Sequence, residues 1–268
     1  MKQDGKLAQI RRRIDAIDGE LLRLLSERAA CAQQVAEVKH AAGETVFYRP
    51  EREAQVLRQV AAANPGPLPD EAVTHIFREI MSACLALERP LTVAYLGPPG
   101  TFSQDATHKH FGQAISSLPQ ATIEQVFREV DAGAADYGVV PIENSTEGAV
   151  THTLDMFLST PLAICGEVEL AVHQQLLSKA TDLADVKQIY SHAQSLAQCR
   201  RWLAGHLPGV ACEAVSSNAE AARRAASEAG AAAIAGESAG RLDEPMRLAA
   251  HIADEPGNTT RLLVLGRP

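Results

Sequence analysis

Five cations in the first 52 residues are the first side chains whose chemistry needs an explanation. They are Arg11, Arg28, Lys39, Arg49 and Arg52. On an ideal helix Arg28 and Lys39 lie on nearly the same face, because 11 positions separate them. Arg11 lies about a quarter turn away, so it needs a partner chain to reach the same pocket. Such a set would bind an anionic ligand, and solvated surface charge is the alternative interpretation.

Polar residues also gather in four loops at the ends of predicted strands or just before one. The loops span residues 97–103, 141–148, 191–195 and 258–261. In open α/β sheets ligands bind just beyond the carboxyl ends of strands, and free N–H groups at a helix start favour carboxylates. Plain turn chemistry is the alternative for each loop taken alone. The loops lack the G-x-G-x-x-G fingerprint and the P-loop lysine, which excludes nucleotide binding and predicts no cofactor.

Metal and disulfide chemistry have little support. The five cysteines are widely spaced, and none forms a C-x-x-C pair. His108 and His110 form an H-x-H pair without a third ligand, and we interpret them as helix-surface residues. We therefore predict no metal site and reduced thiols, as is typical of cytosolic proteins.

The composition is that of an ordinary globular protein, with 46% hydrophobic and 22% charged residues in a chain of 268. That length suffices for two domains. A formal net charge of −8 excludes a global basic field for nucleic acid or anionic lipid. The first 20 residues contain no apolar segment typical of a signal peptide, and no apolar run reaches membrane-spanning length. We expect a cytoplasmic protein that acts on small molecules, with neither nucleic acid nor membrane as a partner.

Three helices must position the basic residues. Apolar residues at helical spacing predict a first helix of about 30 residues, roughly 45 Å long, that reaches about Lys39. The apolar stripe consists of Leu7, Ile10, Ile14, Ile17, Leu21 and Leu24. A second helix is predicted from Pro50, at a first-turn position, to about Ala63, and a third, with Asp70 as N-cap, from Glu71 to about Glu88. A helix as long as the first needs neighbours, and a homodimer is the simplest way to supply them.

From Leu91 onward short apolar segments alternate with helical patterns, which predicts a mostly parallel α/β sheet. Strands are predicted at residues 92–96, 137–140, 163–171, 186–190, 210–215, 231–235, 247–252 and 261–265. The clearest helices are predicted at residues 122–132, 194–204 and 218–229. The change of pattern predicts one domain at residues 1–90 and another at residues 91–268.

The helical segment resembles the all-helical class of chorismate mutase over its full length. The resemblance is carried by residues 10–18, 24–28, 38–39 and 49–53. It implies three long helices per chain, interlocked into a dimer in which each pocket takes one arginine from the partner. On this basis Arg11 is the arginine that crosses, and Glu53 accepts the substrate hydroxyl. The residues that hold the substrate are Arg28, Lys39 and Arg52.

The chemistry of that family suits these residues. Chorismate carries two carboxylates, each of which a guanidinium can bind through two hydrogen bonds. Its rearrangement is intramolecular, so the site must hold a compact conformer and donate to the ether oxygen as negative charge grows there. Lys39 is one donor. The second position, often glutamine in the family, falls on Glu88, which must be protonated to donate. Cys84 occupies a position that serine often holds.

Residues 92–266 resemble the catalytic domain of prephenate dehydratase over its whole length. The family's signatures occur in the family's order at residues 95–103, 140–145 and 258–261. The resemblance implies two α/β subdomains with the site in the cleft between them, similar to type II periplasmic binding proteins, with chain crossings near residues 170 and 250. It places Thr260 and Arg261 at the centre of catalysis. The implied pocket lining is Ser103, Glu143, Asn144, Ser145, Ser191, Gln194 and Gln198.

That family's reaction converts prephenate to phenylpyruvate, carbon dioxide and water, and it requires protonation of the leaving C4 hydroxyl. We expect Thr260 to donate that proton and Arg261 to anchor the side-chain carboxylate. Glu143 is the neighbour that we expect to assist. Leu262 and Ala193 stand where the family usually has phenylalanine and proline, and we expect activity to survive both changes.

Relatives of this fusion usually continue into an ACT-type regulatory domain that binds phenylalanine, and the sequence stops at Pro268, where that domain would begin. We therefore expect phenylalanine inhibition to be weak or absent. Three alternatives stay open. They are an arogenate dehydratase, a non-catalytic protein that binds small anions in the same cleft, and an active mutase with a decayed dehydratase.

Overall fold

The computed structural model describes residues 2–43, 48–236, 238–239 and 246–268. The chain divides into two compact units. The first consists of Met1–Leu91 and Phe111–Ile115, and the second of Thr92–His110 and Ser116–Pro268. Within the described ranges, no helix combines the length and the apolar character needed to cross a membrane.

The described residues of the first unit form three helices. They are α1 (Lys2–Ala41), α2 (Pro50–Ala63) and α3 (Asp70–Glu88). Proline opens α2, where a missing N–H breaks no hydrogen bond and the fixed φ suits a helix. The start of α3 differs from the prediction, because Pro69 is its N-cap. Asp70 is not the cap, since its carboxylate accepts a hydrogen bond from Asn64 Nδ2 at 2.7 Å.

The long helix α1 is only partly covered. It has 40 residues and is about 60 Å long. Both α1 and α2 pack against α3, and Ala36 near the end of α1 is buried. The predicted stripe from Leu7 to Leu24 is different, since each of its six side chains is 47–52% exposed. A single chain therefore leaves the apolar face of the first half of α1 in contact with water.

Among its described residues the second unit contains two sheets, and the first sheet has six strands. They are β1 (Thr92–Leu96), β2 (Ser116–Gln120), β3 (Tyr137–Asn144), β4 (Gly148–Ala149), β5 (Ala163–Ala171) and β11 (Thr259–Gly266). Their order is β2-β1-β3-β11-β5, with β4 paired to β3. The helices in this part of the chain are α4 (Phe102–Phe111), α5 (Ile123–Asp131) and α6 (Thr151–Phe157). Val126, Phe127 and Val130 of α5 form a core with this sheet.

The second sheet has five strands. They are β6 (Gln175–Ser178), β7 (Gln188–His192), β8 (Ala211–Val215), β9 (Ala231–Ala235) and β10 (Met246–Ala249), in the order β10-β6-β9-β7-β8. The associated helices are α7 (Ala193–Gln198), α8 (Arg200–His206) and α9 (Asn218–Ser227). The helix predicted at 194–204 is thus interrupted at Cys199. The small side chains of Ala221, Ala222 and Ala225 let α9 pack closely on β9.

Both sheets are mixed, so the prediction of mostly parallel strands is wrong. Among the described strands, four pairings are parallel: β1–β2, β1–β3, β7–β8 and β7–β9. Five are antiparallel: β3–β4, β3–β11, β5–β11, β6–β9 and β6–β10. The reason is that the chain leaves the first sheet after β5 and returns to it as β11. Val172, just after β5, is hydrogen-bonded to Asn258, just before β11, so the chain re-enters the sheet at the edge where it left and β11 runs antiparallel to β5.

We call the part of the second unit around the first sheet the first subdomain and the part around the second sheet the second subdomain. The chain crosses between them at residues 172–174 and 250–258, the two crossing segments. Main-chain hydrogen bonds link the two crossings. Val172 N donates to Asn258 O at 2.8 Å, and Ile252 N donates to Gln174 O at 3.0 Å. The crossings therefore run side by side.

Candidate functional site

A cavity of about 290 Å³ lies among the three helices of the first unit, and we call it the helical cavity. Its polar lining is Arg28, Arg49, Arg52, Glu53, Ser82, Cys84 and Glu88. Its apolar wall includes Val35, Val56, Met81, Leu85 and Phe111. Five residues predicted from the sequence therefore come together here: Arg28, Arg52, Glu53, Cys84 and Glu88. Three guanidinium groups facing one cavity suit a ligand with more than one carboxylate.

Two predicted residues, Arg11 and Lys39, do not line the helical cavity. Arg11 lies 17 positions before Arg28 on α1, which places it about 25 Å away along the helix axis. Lys39 is half-buried in the last turn of α1. The cavity of one chain thus holds only part of the predicted set.

Glu53 forms an ion pair that the sequence patterns did not predict. Its Oε1 lies 3.6 Å from Arg78 Nε. Burial raises the pKa of Glu53, and interactions with Arg78 and Tyr48 partly oppose that rise. Arg78 lies seven positions before Leu85, which lines the helical cavity, and a spacing of seven returns to the same face of α3. That spacing could have identified Arg78.

Glu88 has a buried oxygen, Oε2, that finds no hydrogen-bond partner in the described part of the chain. Burying an acceptor without a donor is unfavourable. Arg52, by contrast, is engaged, since its Nη1 donates to Gln55 Oε1 at 2.7 Å. Glu88 is therefore available to a ligand that enters the helical cavity.

A second cavity, of about 360 Å³, lies between the two sheets, and we call it the cleft. The first subdomain contributes Thr101, Ser103, Asn144, Glu147 and Thr260. The second contributes His192, Gln194, Ser195, Gln198, Ser217 and Asn218. The crossing segments add Gln174 and Asn258. The predicted residues that line the cleft are therefore Ser103, Asn144, Gln194, Gln198 and Thr260.

A series of hydrogen-bonded side chains runs through the cleft from Thr260. Asn144 Nδ2 donates to Thr260 Oγ1 and to Asn258 Oδ1, both at 2.9 Å. Asn258 Nδ2 donates to Gln198 Oε1 at 3.2 Å, and Gln174 Nε2 donates to the same oxygen at 3.1 Å. Because Thr260 accepts from Asn144, its own hydrogen points elsewhere and can be donated to a ligand.

Arg261 and Glu143 lie outside the cleft lining, contrary to the expectation from the sequence. Successive side chains of a strand point to opposite faces, so Arg261 faces away from Thr260. Its Nη1 lies 3.0 Å from Glu143 Oε2, and its Nε and Nη2 lie 2.9 and 3.0 Å from the oxygens of Glu167. Hydrogen bonds to Glu167 and Glu143 raise the pKa of Arg261, and Arg261 lowers the pKa of Glu167. This ion pair links β11 to both of its neighbouring strands.

Ser145 and Ser191 were also predicted to line the cleft, but neither belongs to its lining. Ser191 is fully buried, with Oγ 2.7 Å from the carbonyl oxygen of Ile234 and 3.0 Å from Asn218 Oδ1. Ser145 Oγ accepts from Thr259 N at 3.0 Å. Both hydroxyls are thus occupied by groups of the protein, and they support the backbone around the cleft.

Three residues that line the cleft, Gln174, His192 and Asn218, were not predicted as site residues. Gln174 Nε2 and Asn218 Nδ2 both donate to Ser195 Oγ, at 3.0 and 2.9 Å. His192 Nδ1 accepts from Gln194 N at 3.4 Å at the start of α7. His192 and Asn218 follow predicted strands, and that position could have identified them.

The charge in the cleft comes from few side chains. Its described lining contains no Lys or Arg, and its titratable residues are Glu147 and His192. Helices α4 and α9 begin at the cleft, where Ser103 and Asn218 line it. The first N–H groups of a helix carry partial positive charge and favour anions. At the mouth, Gln194 Nε2 donates to Glu147 Oε2 and so bridges the subdomains.

Two family profiles together match most of the chain. The profile "Chorismate mutase type II" matches residues 10–89, and the profile "Prephenate dehydratase" matches residues 93–268.

Curated relatives carry both names. Bifunctional chorismate mutase/prephenate dehydratases from Stutzerimonas stutzeri and Pseudomonas aeruginosa are each 57% identical over 271 residues, which covers 99% of this chain and 74% of each relative. A solved prephenate dehydratase from Arthrobacter aurescens, in complex with L-Phe, matches with a TM-score of 0.61 and 34% identity. That match covers 66% of this chain and 61% of the solved chain. The chain belongs to the family of bifunctional chorismate mutase/prephenate dehydratases.

Proposed function

We propose that the helical cavity rearranges chorismate to prephenate and that the cleft converts prephenate to phenylpyruvate, carbon dioxide and water. The observation that carries this proposal is the placement of the Thr260 hydroxyl in a polar cleft, oriented by Asn144. Both reactions serve phenylalanine biosynthesis. We place them in the cytoplasm, because widely spaced cysteines without disulfide motifs are typical of a reducing compartment.

In the helical cavity, Arg28 and Arg52 bind the two carboxylates of chorismate. This holds the compact conformer from which the intramolecular rearrangement starts, so no nucleophile is needed. Glu53 accepts the substrate hydroxyl, and Cys84 contacts the substrate from α3. Glu88, in its protonated form, donates to the ether oxygen as negative charge grows there.

A homodimer completes the helical cavity. The half-exposed stripe on α1 supports this step, because a second copy of α1 would remove that apolar surface from water. Arg11 then enters the cavity of the partner chain and binds a substrate carboxylate there. Lys39, from the last turn of α1, supplies the second donor to the ether oxygen.

In the cleft, Thr260 protonates the C4 hydroxyl of prephenate while the ring carboxylate leaves as carbon dioxide. One prephenate dianion and one proton give the phenylpyruvate anion, carbon dioxide and water, and the ring becomes aromatic. A threonine hydroxyl is a weak acid, so positioning supplies most of the effect. The hydrogen bond from Asn144 orients the hydroxyl and strengthens it as a donor.

The carboxylates of prephenate bind at the starts of α4 and α9, next to Ser103 and Asn218. Arg261 and Glu143 act from the other face of the sheet, where their ion pair holds β11 against β3 and so fixes Thr260. This assignment replaces the expected role of Arg261 as a substrate anchor. Gln194 contacts the substrate at the mouth.

Purified protein given chorismate tests the proposal. Prephenate and then phenylpyruvate should appear, and Thr260→Ala should accumulate prephenate with dehydratase turnover lowered at least ~100-fold. Thr260→Ser keeps a hydroxyl and is the matched control, which should retain most of the turnover. Wild-type protein that leaves both chorismate and prephenate unchanged would contradict the proposal.

A further inference from the structure

Gln174 lines the cleft and carries a buried hydrogen-bond acceptor, Oε1, to which no group in the described part of the chain donates. The residue is 2% exposed, and its Oε1 has no partner within the described ranges. Of the unpartnered buried polar atoms in the described chain, this one alone belongs to a residue that lines the cleft. A buried acceptor without a donor is unfavourable, so the atom indicates where a donor group of the ligand binds.

The neighbours of Gln174 fix the orientation of its amide. Nε2 donates to Ser195 Oγ at 3.0 Å and to Gln198 Oε1 at 3.1 Å. Asn258 Nδ2 also donates to Gln198 Oε1, which identifies that atom as an acceptor. Rotating the Gln174 amide by about 180° would place its Oε1 against Gln198 Oε1, and two acceptors cannot form a hydrogen bond. Both amide hydrogens are therefore used inside the protein, and the oxygen is left for the ligand.

The chemistry of prephenate identifies the group that fills this acceptor. At neutral pH both of its carboxylates are ionised, and its ketone oxygen can only accept hydrogen bonds. The C4 hydroxyl is therefore the one hydrogen-bond donor that the substrate offers. We propose that Gln174 Oε1 accepts the hydrogen of the C4 hydroxyl while Thr260 donates to the oxygen of the same group. This inference rests on the dehydratase function proposed above.

In this arrangement Gln174 is a catalytic residue, because it touches the leaving group. The C4–O bond breaks with its electron pair on oxygen, which takes the proton from Thr260 and leaves as water. The electron pair of the bond to the ring carboxylate completes the aromatic ring as carbon dioxide departs, and Thr260 recovers a proton from solvent. The O–H of the departing group becomes a stronger donor as positive charge grows on its oxygen. The contact with Gln174 thus strengthens in the transition state.

A series of hydrogen bonds connects Gln174 to Thr260. The connection runs from Thr260 through Asn144, Asn258 and Gln198 to Gln174, and each step is 2.9–3.2 Å. Both side chains are therefore oriented by the protein before the substrate binds.

Two ligands that differ only in the hydroxyl test the proposal. One is prephenate with a saturated ring, which keeps the C4 hydroxyl and cannot become aromatic, and the other is its 4-deoxy counterpart. Calorimetry on the full chain gives both dissociation constants without needing turnover. The wild type should bind the hydroxyl compound about tenfold more tightly. Gln174→Met, which removes the acceptor, should bring the ratio to about one.

A control variant separates a direct contact from a structural role. Gln175→Met changes a neighbouring glutamine that is 5% exposed and outside the cleft lining, and it should keep the wild-type ratio. Loss of packing alone would weaken both ligands equally and leave the ratio unchanged.

An unchanged ratio in Gln174→Met, or a wild-type ratio near one, would overturn the assignment. Circular dichroism and thermal melting report whether each variant is folded. If Gln174→Met does not fold, Gln174→Asn withdraws the oxygen by one methylene and should lose the preference in its place. Absence of phenylpyruvate from prephenate in the wild type is a separate result, because it would contradict the dehydratase function itself.

Discussion

Asn144 and Thr260 are register partners on the antiparallel strands β3 and β11, with Asn144 Nδ2 2.9 Å from Thr260 Oγ1. The same register pairs Arg261 with Glu143, one position along and on the opposite face. One pair of strands thus carries both the proposed acid and the ion pair that stabilises its position.

Asn144→Asp should lower dehydratase kcat by about tenfold to a hundredfold and leave mutase activity unchanged. A carboxylate can only accept, so the Thr260 hydroxyl would donate to it and no longer to the substrate. Both activities should be measured on one preparation. Equal losses in the two reactions would indicate misfolding, and an unchanged dehydratase kcat would contradict the orientation assigned to Thr260.

Arg261→Lys should lower dehydratase kcat more than it raises KM for prephenate. An ammonium group cannot reproduce the planar fork that binds Glu143 and Glu167, so β11 would hold Thr260 less well. The substrate carboxylates would still bind at the starts of α4 and α9, so KM should change little. Steady-state kinetics gives kcat and KM separately and so tests this expectation. A large rise in KM with unchanged kcat would instead assign Arg261 to substrate binding.

Glu167→Gln should reveal a pH-dependent part of the stability. Hydrogen bonds from Arg261 lower the pKa of folded Glu167 below its ordinary value of 4.5. Such a group stabilises the fold above its unfolded pKa, and the contribution disappears as pH falls through the lower, folded pKa. The difference in Tm between wild type and Glu167→Gln should be constant above about pH 6 and shrink below about pH 4.5.

Because this ion pair is half-exposed, the difference in Tm should be small and should decrease with added salt. Thermal melts at low and high ionic strength provide the control. A difference that stays constant into strong acid would contradict the pairing.

Glu88→Gln should retain or raise mutase kcat, because its amide N–H can donate to the ether oxygen. Glu88→Ala has no donor at this position and should lower kcat at least about tenfold. The measurement is mutase kcat of both variants and the wild type under the same conditions. Equal values for Glu88→Gln and Glu88→Ala would remove Glu88 from the donor role.

Arg11→Ala and Arg28→Ala should each abolish mutase activity, and their mixture should recover it in part. If Arg11 enters the partner's cavity, half of the mixed dimers are heterodimers, and each has one cavity with both arginines. After subunit exchange the mixture should therefore reach about a quarter of the wild-type specific activity. No recovery would show that Arg11 does not act across a dimer.

Regular elements with strong patterns were predictable, and short polar strands were not. Residues 92–96, 163–171 and 231–235 were predicted with the bounds that the structure shows. β2 (Ser116–Gln120) was not predicted, because it is a polar edge strand that contains a proline. β6 begins with a glutamine and ends with a serine, and it pairs with β9, more than 50 residues away. Such strands are stabilised by distant partners and carry little local signal.

In the candidate sites, too, residues in recognisable local motifs were predictable, and residues positioned by distant contacts were not. Thr260 and Asn144 were predicted because their motifs could be recognised in the sequence. Arg261 was placed wrongly because a motif is written as one continuous string, whereas a strand turns alternate side chains to opposite faces. Gln174 depends on contacts with Ser195 and Gln198, which follow more than 20 positions later, so no local pattern marks it.

The two crossing segments carry Gln174 and Asn258, and they are bonded to each other. If the subdomains swing apart, they must turn about these connections, and points on a rotation axis hardly move. Product could then depart through a mouth widened by the separation of Glu147 from Gln194. Gln174 and Asn258 would keep their positions relative to each other during each opening. This part of the site would therefore be ready for the next prephenate without rearrangement.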